Sequence, residues 1–131
     1  ATYLRNSGSV NICILGCLDA NTNSLGTEPP TAAQIEGMAQ AIAAASNGLW
    51  LTIDKTRVLT HGEAADNEDS VYAHKPYGPK NGCERWDLEY LGTDESPCYN
   101  PWAEDGTRGG DVLRGKANWY RQYWKDNGGT P

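Results

Sequence analysis

Ser9-Val10-Asn11-Ile12-Cys13-Ile14-Leu15-Gly16 is a near-continuous apolar run of strand length, followed by the polar segment from Asp19 to Pro30. A run without polar alternation reads as a strand covered on both faces. Helices are therefore expected on either side, giving an α/β fold with a central β-sheet flanked by helices. Leu49 to Ile53 and Val58-Leu59 are shorter apolar stretches joined through the turn Asp54-Lys55-Thr56. They are the further strand candidates.

Helix signals bracket these runs. Thr31-Ala32-Ala33-Gln34 has the capping-box pattern, in which the Thr hydroxyl and the Gln side chain satisfy free amides at a helix start. Ile35, Met38, Ile42 and Ala45 follow at helical spacing, and Asn47-Gly48 supplies the stop. Met38 reads as core. A last helix, capped by Asp111, runs through Val112, Leu113, Ala117, Tyr120 and Trp124 and ends at Asn127-Gly128-Gly129. Arg114, Lys116, Arg121 and Lys125 fall on its other face and are expected in solvent.

A length of 131 residues suits one domain with a single core. The net charge of −6, with no basic cluster to overcome it, disfavours nucleic acid and anionic membrane surfaces. No apolar run approaches the roughly 20 residues of a spanning helix, and no signal-peptide pattern opens the sequence. Seven Tyr and five Trp stand beside no Phe, an amphipathic aromatic set suited to a polar, ring-bearing or peptide ligand. Cys13 and Cys17 read as buried free thiols, Cys83 and Cys98 flank a loop that a disulfide can close, and neither pair has structural zinc spacing. Asp19 to Asn23 begins like a calcium loop, but Ser24 and Pro30 replace the required glycine and glutamate, leaving a plain loop.

The chemistry centres on Arg57-Val58-Leu59-Thr60-His61-Gly62-Glu63 and on Glu84-Arg85-Trp86-Asp87-Leu88. A histidine expected at a strand end and an aspartate brought back by a loop are both ordinary zinc ligands, and a catalytic zinc takes about three protein ligands. Two of the three are visible here. Residues 62 to 110 hold most of the acidic, Gly and Pro residues together with Tyr72, Tyr77, Trp86, Tyr90, Tyr99 and Trp102. Such a loop reads as an ordered aromatic rim of a cleft, or as a surface loop pinned by its aromatics. Glu63 is either a group that orients His61 or handles a proton, or a solvated loop charge.

The order of these elements resembles the type 2 N-acetylmuramoyl-L-alanine amidases, a family that includes the peptidoglycan recognition proteins and short phage lysozyme-type amidases. The likeness rests on Asn11 to Gly16, on Pro30 to His61 with its Pro-Thr-Ala-Ala-Gln helix and Val-Leu-Thr-His ending, and on Arg85-Trp86-Asp87; it covers roughly Ser9 to Leu88. The terminal Lys116-Ala117-Asn118-Trp119-Tyr120 is similar to phage-type members. The resemblance implies a central mixed β-sheet and hydrolysis of the amide between N-acetylmuramic acid and L-alanine in peptidoglycan. It implies zinc as cofactor and a cell-wall-facing location, whether secreted, periplasmic or released by phage lysis. It places zinc ligands at His61 and Asp87, puts Arg85 where some members carry an assisting lysine, and assigns the groove to Tyr72, Tyr77, Trp86 and Trp102. Arg85 keeps the charge for stabilising a carbonyl oxygen but does not donate a proton.

The family draws its first zinc histidine and a catalytic tyrosine from an opening strand and helix, and no histidine precedes His61. The chain is therefore read as the C-terminal portion of an amidase-like domain, with His74 as a candidate third ligand. Two other readings follow from the incomplete ligand set: a peptidoglycan-binding module without catalysis, and a fragment or structural subunit completed by another chain.

Overall fold

The structure is a computed structural model that describes residues 5–71, 77–82 and 85–129. Two long helices dominate it: α1 (Ala32–Gly48) and α3 (Gly109–Asp126), with the short α2 (His61–Ala65) between them in sequence. A 3-10 turn lies at Pro79–Asn81. Helix α1 is built as its sequence predicts. Thr31 accepts from the Gln34 amide at 3.1 Å while the Gln34 side chain accepts from the Thr31 amide at 2.9 Å.

The expected central mixed β-sheet is not found: among the described residues the one β pairing is an isolated bridge between Asn21 and Ser24. The physical reason is clearest at residues 51–58, whose main-chain acceptors are taken by side chains of α3. Arg121 donates to the Leu51 carbonyl at 2.6 Å, Asn118 to Ile53 at 3.2 Å and Arg114 to Val58 at 2.9 Å. Positions 114, 118 and 121 share one helix face. They satisfy carbonyls that a neighbouring strand would otherwise claim. The Ser9–Gly16 run likewise crosses α1 without forming a strand, and the Leu15 carbonyl accepts from the Gln34 amide nitrogen at 2.8 Å. Cys13 is exposed and Cys17 half-buried, both as free thiols, so their predicted burial is also corrected.

Helices α1 and α3 pack against each other through small residues. Ala39, Ala43 and Ala117 are each 0% exposed and let the two backbones approach closely. One apolar cluster joins Ile35, Met38, Leu91 and Leu113, and a second joins Ala43, Ile53 and Ala117. Glu36 on α1 receives Lys116 at 2.6 Å and the Tyr120 hydroxyl at 2.5 Å from α3. The basic residues of α3 are thus largely engaged, contrary to their expected solvent face. Asp111 lies inside the first turn of α3, whose N-cap is Arg108.

Candidate functional site

His61 does not end a strand; it is the first residue of α2, a helix of 5 residues. An isolated helix this short is far from stable in water. Its start is held by a second capping box: Thr60 accepts from the Glu63 amide at 3.2 Å, and the Glu63 carboxylate accepts from the Thr60 amide at 3.0 Å. Glu63 is 0% exposed, and Arg114 of α3 grips its two oxygens at 2.9 and 2.7 Å. Burial alone would raise the Glu63 carboxyl, but the Arg114 hydrogen bonds and charge, with the Thr60 amide, hold it below the ordinary range.

On this support His61 meets Asp87. The imidazole Nδ1 lies 2.6 Å from Asp87 Oδ2 across 26 positions of sequence. The side chains are 29% and 58% exposed, so the pair sits at the surface within reach of solvent. The His61 Nε2 atom points inward and has no partner among the described residues. Gly62 permits the approach. A Cβ there would stand 2.6 Å from the Arg85 carbonyl and 2.7 Å from Glu89 Oε1.

The Arg85 carbonyl borders Gly62, and the Arg85 guanidinium lies 5.9 Å from the Tyr77 ring centre. One Arg85 terminal nitrogen is buried without a hydrogen-bond partner among the described residues. Trp86 is half-buried in the turn before Asp87. Trp102 is 66% exposed and carries Lys80 over its ring at 5.9 Å. Tyr72 and His74 lie outside the described residues, as does Cys83 of the possible Cys83–Cys98 bridge.

The structure therefore brings His61 and Asp87 together, pairs Arg85 with Tyr77, and uses Glu63 to anchor the helix that carries His61. Sequence reading missed the buried cations. Arg108 is 2% exposed and donates to Glu89 Oε1 at 2.5 Å, and Arg114 is 6% exposed. The signal was available in Glu89, an acidic residue between Leu88 and Leu91 whose position in an apolar stretch calls for a cation.

Imidazole nitrogen and carboxylate oxygen are ordinary zinc donors, and here Nδ1 and Oδ2 are hydrogen-bonded directly to each other at the surface. Among the described residues no group of three His, Cys, Asp or Glu side chains is positioned to hold a metal ion. The described residues thus supply two side chains of zinc-ligand type, at present bonded to each other, and not a complete ligand set. The chain matches no protein-family model, no curated protein and no solved structure.

Proposed function

We propose that this chain carries part of a zinc-dependent amidase site that cleaves the bond between N-acetylmuramic acid and L-alanine in peptidoglycan, in a cell-wall-facing location. The carrying observation is the 2.6 Å approach of His61 Nδ1 to Asp87 Oδ2, two residues far apart in sequence that the amidase resemblance independently names as ligands. His61 and Asp87 would hold the metal, and a third donor would come from outside the described residues, where His74 is the candidate. Zinc, when bound, supplies the Lewis acidity that makes water nucleophilic at neutral pH and polarises the scissile carbonyl.

The protein groups then have separate tasks. Arg85, two residues before Asp87 in the chain, is the cation that would favour charge building on the carbonyl oxygen of the substrate. Tyr77 and Trp102, 42% and 66% exposed, offer faces for sugar rings, with Trp86 between them in the chain. Glu63 keeps the imidazole in place through the start of α2 rather than by moving a proton.

The exposed rings of Tyr77 and Trp102, each with a cation nearby, also support a second reading, a peptidoglycan-binding module without hydrolysis. Elemental analysis and assay of new amino termini released from purified peptidoglycan separate the two. The amidase reading expects about one zinc per chain. Metal and release should both be lost in His61→Ala and Asp87→Ala. Wall binding without zinc and without release would establish the binding module instead.

A further inference from the structure

Asp87 is presented by the turn at residues 86–89, which the Glu89 amide closes by donating to the Trp86 carbonyl at 2.9 Å, but which carries one strained residue. Leu88 has φ +63°, the left-handed region that a bulky side chain rarely adopts. Such strain persists only where the surroundings over-determine it. The surroundings here are the start of α3. The Gly109 amide donates to the Glu89 carbonyl at 3.0 Å, and a Cβ at Gly109 would strike the Leu88 carbonyl. The Arg108 guanidinium holds the Glu89 carboxylate at 2.5 Å.

The other terminal nitrogen of the same guanidinium reaches Glu68 Oε1 at 3.3 Å. Glu68 belongs to the turn that closes α2, with its amide donating to the Glu63 carbonyl at 3.0 Å. One cation therefore touches both segments that matter: the one that begins with His61 and the one that contains Asp87. Without it, Glu89 would stay buried beside the charges of Glu63 and Asp66 with no cation, and half-buried Glu68 would keep only Lys80 at 2.7 Å.

A buried ion pair is a poor stabiliser compared with apolar packing of the same volume. This one is poorer still, since Glu89 Oε2 and Arg108 Nε are both buried with no partner among the described residues. What the arrangement does supply is relative placement.

We propose that Arg108 is a positioning residue that sets the distance between His61 and Asp87 by clamping Glu68 and Glu89, an inference that rests on reading those two residues as the site. It touches neither of them. Its effect passes through the two turns it ties together.

The test follows the imidazole ¹⁵N signals of His61 in the metal-free full chain, with Asp87→Ala marking the unpaired state. In Arg108→Gln the His61 signals should move to the Asp87→Ala position, while the amide signals of Ala39, Ala43 and Ala117 stay in place. Arg108→Lys, which keeps the charge, should restore at least half of the shift. A folded Arg108→Gln with His61 at its wild-type position overturns the proposal. Should that variant not fold, Glu68→Gln releases one arm of the clamp, and His61 should then move part of the way; an unmoved signal overturns the proposal equally.

The readout needs no zinc. A wild-type chain that binds none but shows the Arg108-dependent shift defeats the amidase reading and leaves the clamp standing. Identical His61 signals in wild type and Asp87→Ala defeat both.

Discussion

Replacing Glu63 by alanine should destabilise this fold more than any other single change at a charged residue near the site. The side chain is 0% exposed and carries two loads at once. It accepts from the Thr60 amide at 3.0 Å, closing the capping box of α2, and it receives both terminal nitrogens of Arg114. Loss of a capping interaction costs about 0.5–2 kcal/mol. Removing one partner of a buried pair costs about 3–5 kcal/mol, because the remaining charge stays desolvated. The two losses overlap, since they share one carboxylate, and Arg114 retains Asp111 at 2.7 Å. The sum expected is therefore about 3–5 kcal/mol rather than the full total. Against a typical domain stability of about 5–15 kcal/mol, much of the margin disappears. Urea unfolding followed by far-ultraviolet circular dichroism gives the value directly. Glu63→Gln, which preserves shape and the Thr60 contact, should fall between wild type and Glu63→Ala. A loss below about 1 kcal/mol in Glu63→Ala, the level of an ordinary surface change, would refute the view that Glu63 anchors α2.

At Gly62, alanine should cost about 1–3 kcal/mol and separate His61 from Asp87, because its Cβ meets the main-chain oxygen of Arg85; an unchanged His61 spectrum and unfolding midpoint would contradict this. Asn118→Ala leaves the Ile53 carbonyl without its 3.2 Å donor and should cost about 1–3 kcal/mol, read from thermal or urea unfolding. Stability should fall toward acid. Burial raises Glu63 and Glu68, but Arg114 for the first and Lys80 and Arg108 for the second reverse the sign, while hydrogen bonds lower Glu36 and Asp69 outright. Carboxyls held low in the folded state stabilise it above their unfolded values of about 4 and lose that contribution as pH falls through the folded values. Glu89 acts in the opposite sense: burial raises it, so its contribution is present below its unfolded value and is lost as pH rises through the folded one. Hydrogen bonds also hold Asp54, Glu95 and Asp105 low, so Glu89 is outweighed; the urea midpoint should be lower at pH 3 than at pH 7, and an equal or higher midpoint would contradict the assignment.

The two long helices were legible because their signals are local, whereas α2 was read as a strand end although Thr60 and Glu63 carry a capping box. The Thr31–Gln34 capping box and the spacing of Ile35, Met38 and Ile42 define α1 without reference to the rest of the chain. The sheet was misread because an apolar run such as Ser9–Gly16 states only that the segment tends to be covered, not what covers it. At residues 51–58 the partner is a helix face, and no local pattern announces that Arg114, Asn118 and Arg121 will take strand-like carbonyls. The His61 and Asp87 pairing was legible from residue type and order. The residues that enforce it were not, since Arg108 and Glu89 are joined across 19 positions by a contact invisible to periodicity. A basic helix face reads as solvated until the carboxylates opposite it are known.

The dependence of the site on α3 has a consequence in time as well as in space. The guanidiniums that grip Glu63, Glu68 and Glu89 belong to residues 108 and 114, which the ribosome delivers after both His61 and Asp87. A chain emerging N-terminus first has its two donors before it has the cations that bring their segments together. Assembly of the pair waits for the final helix to clear the exit tunnel. A premature stop or a proteolytic cut before Arg108 would leave His61 and Asp87 in the chain without the cation that ties their segments together.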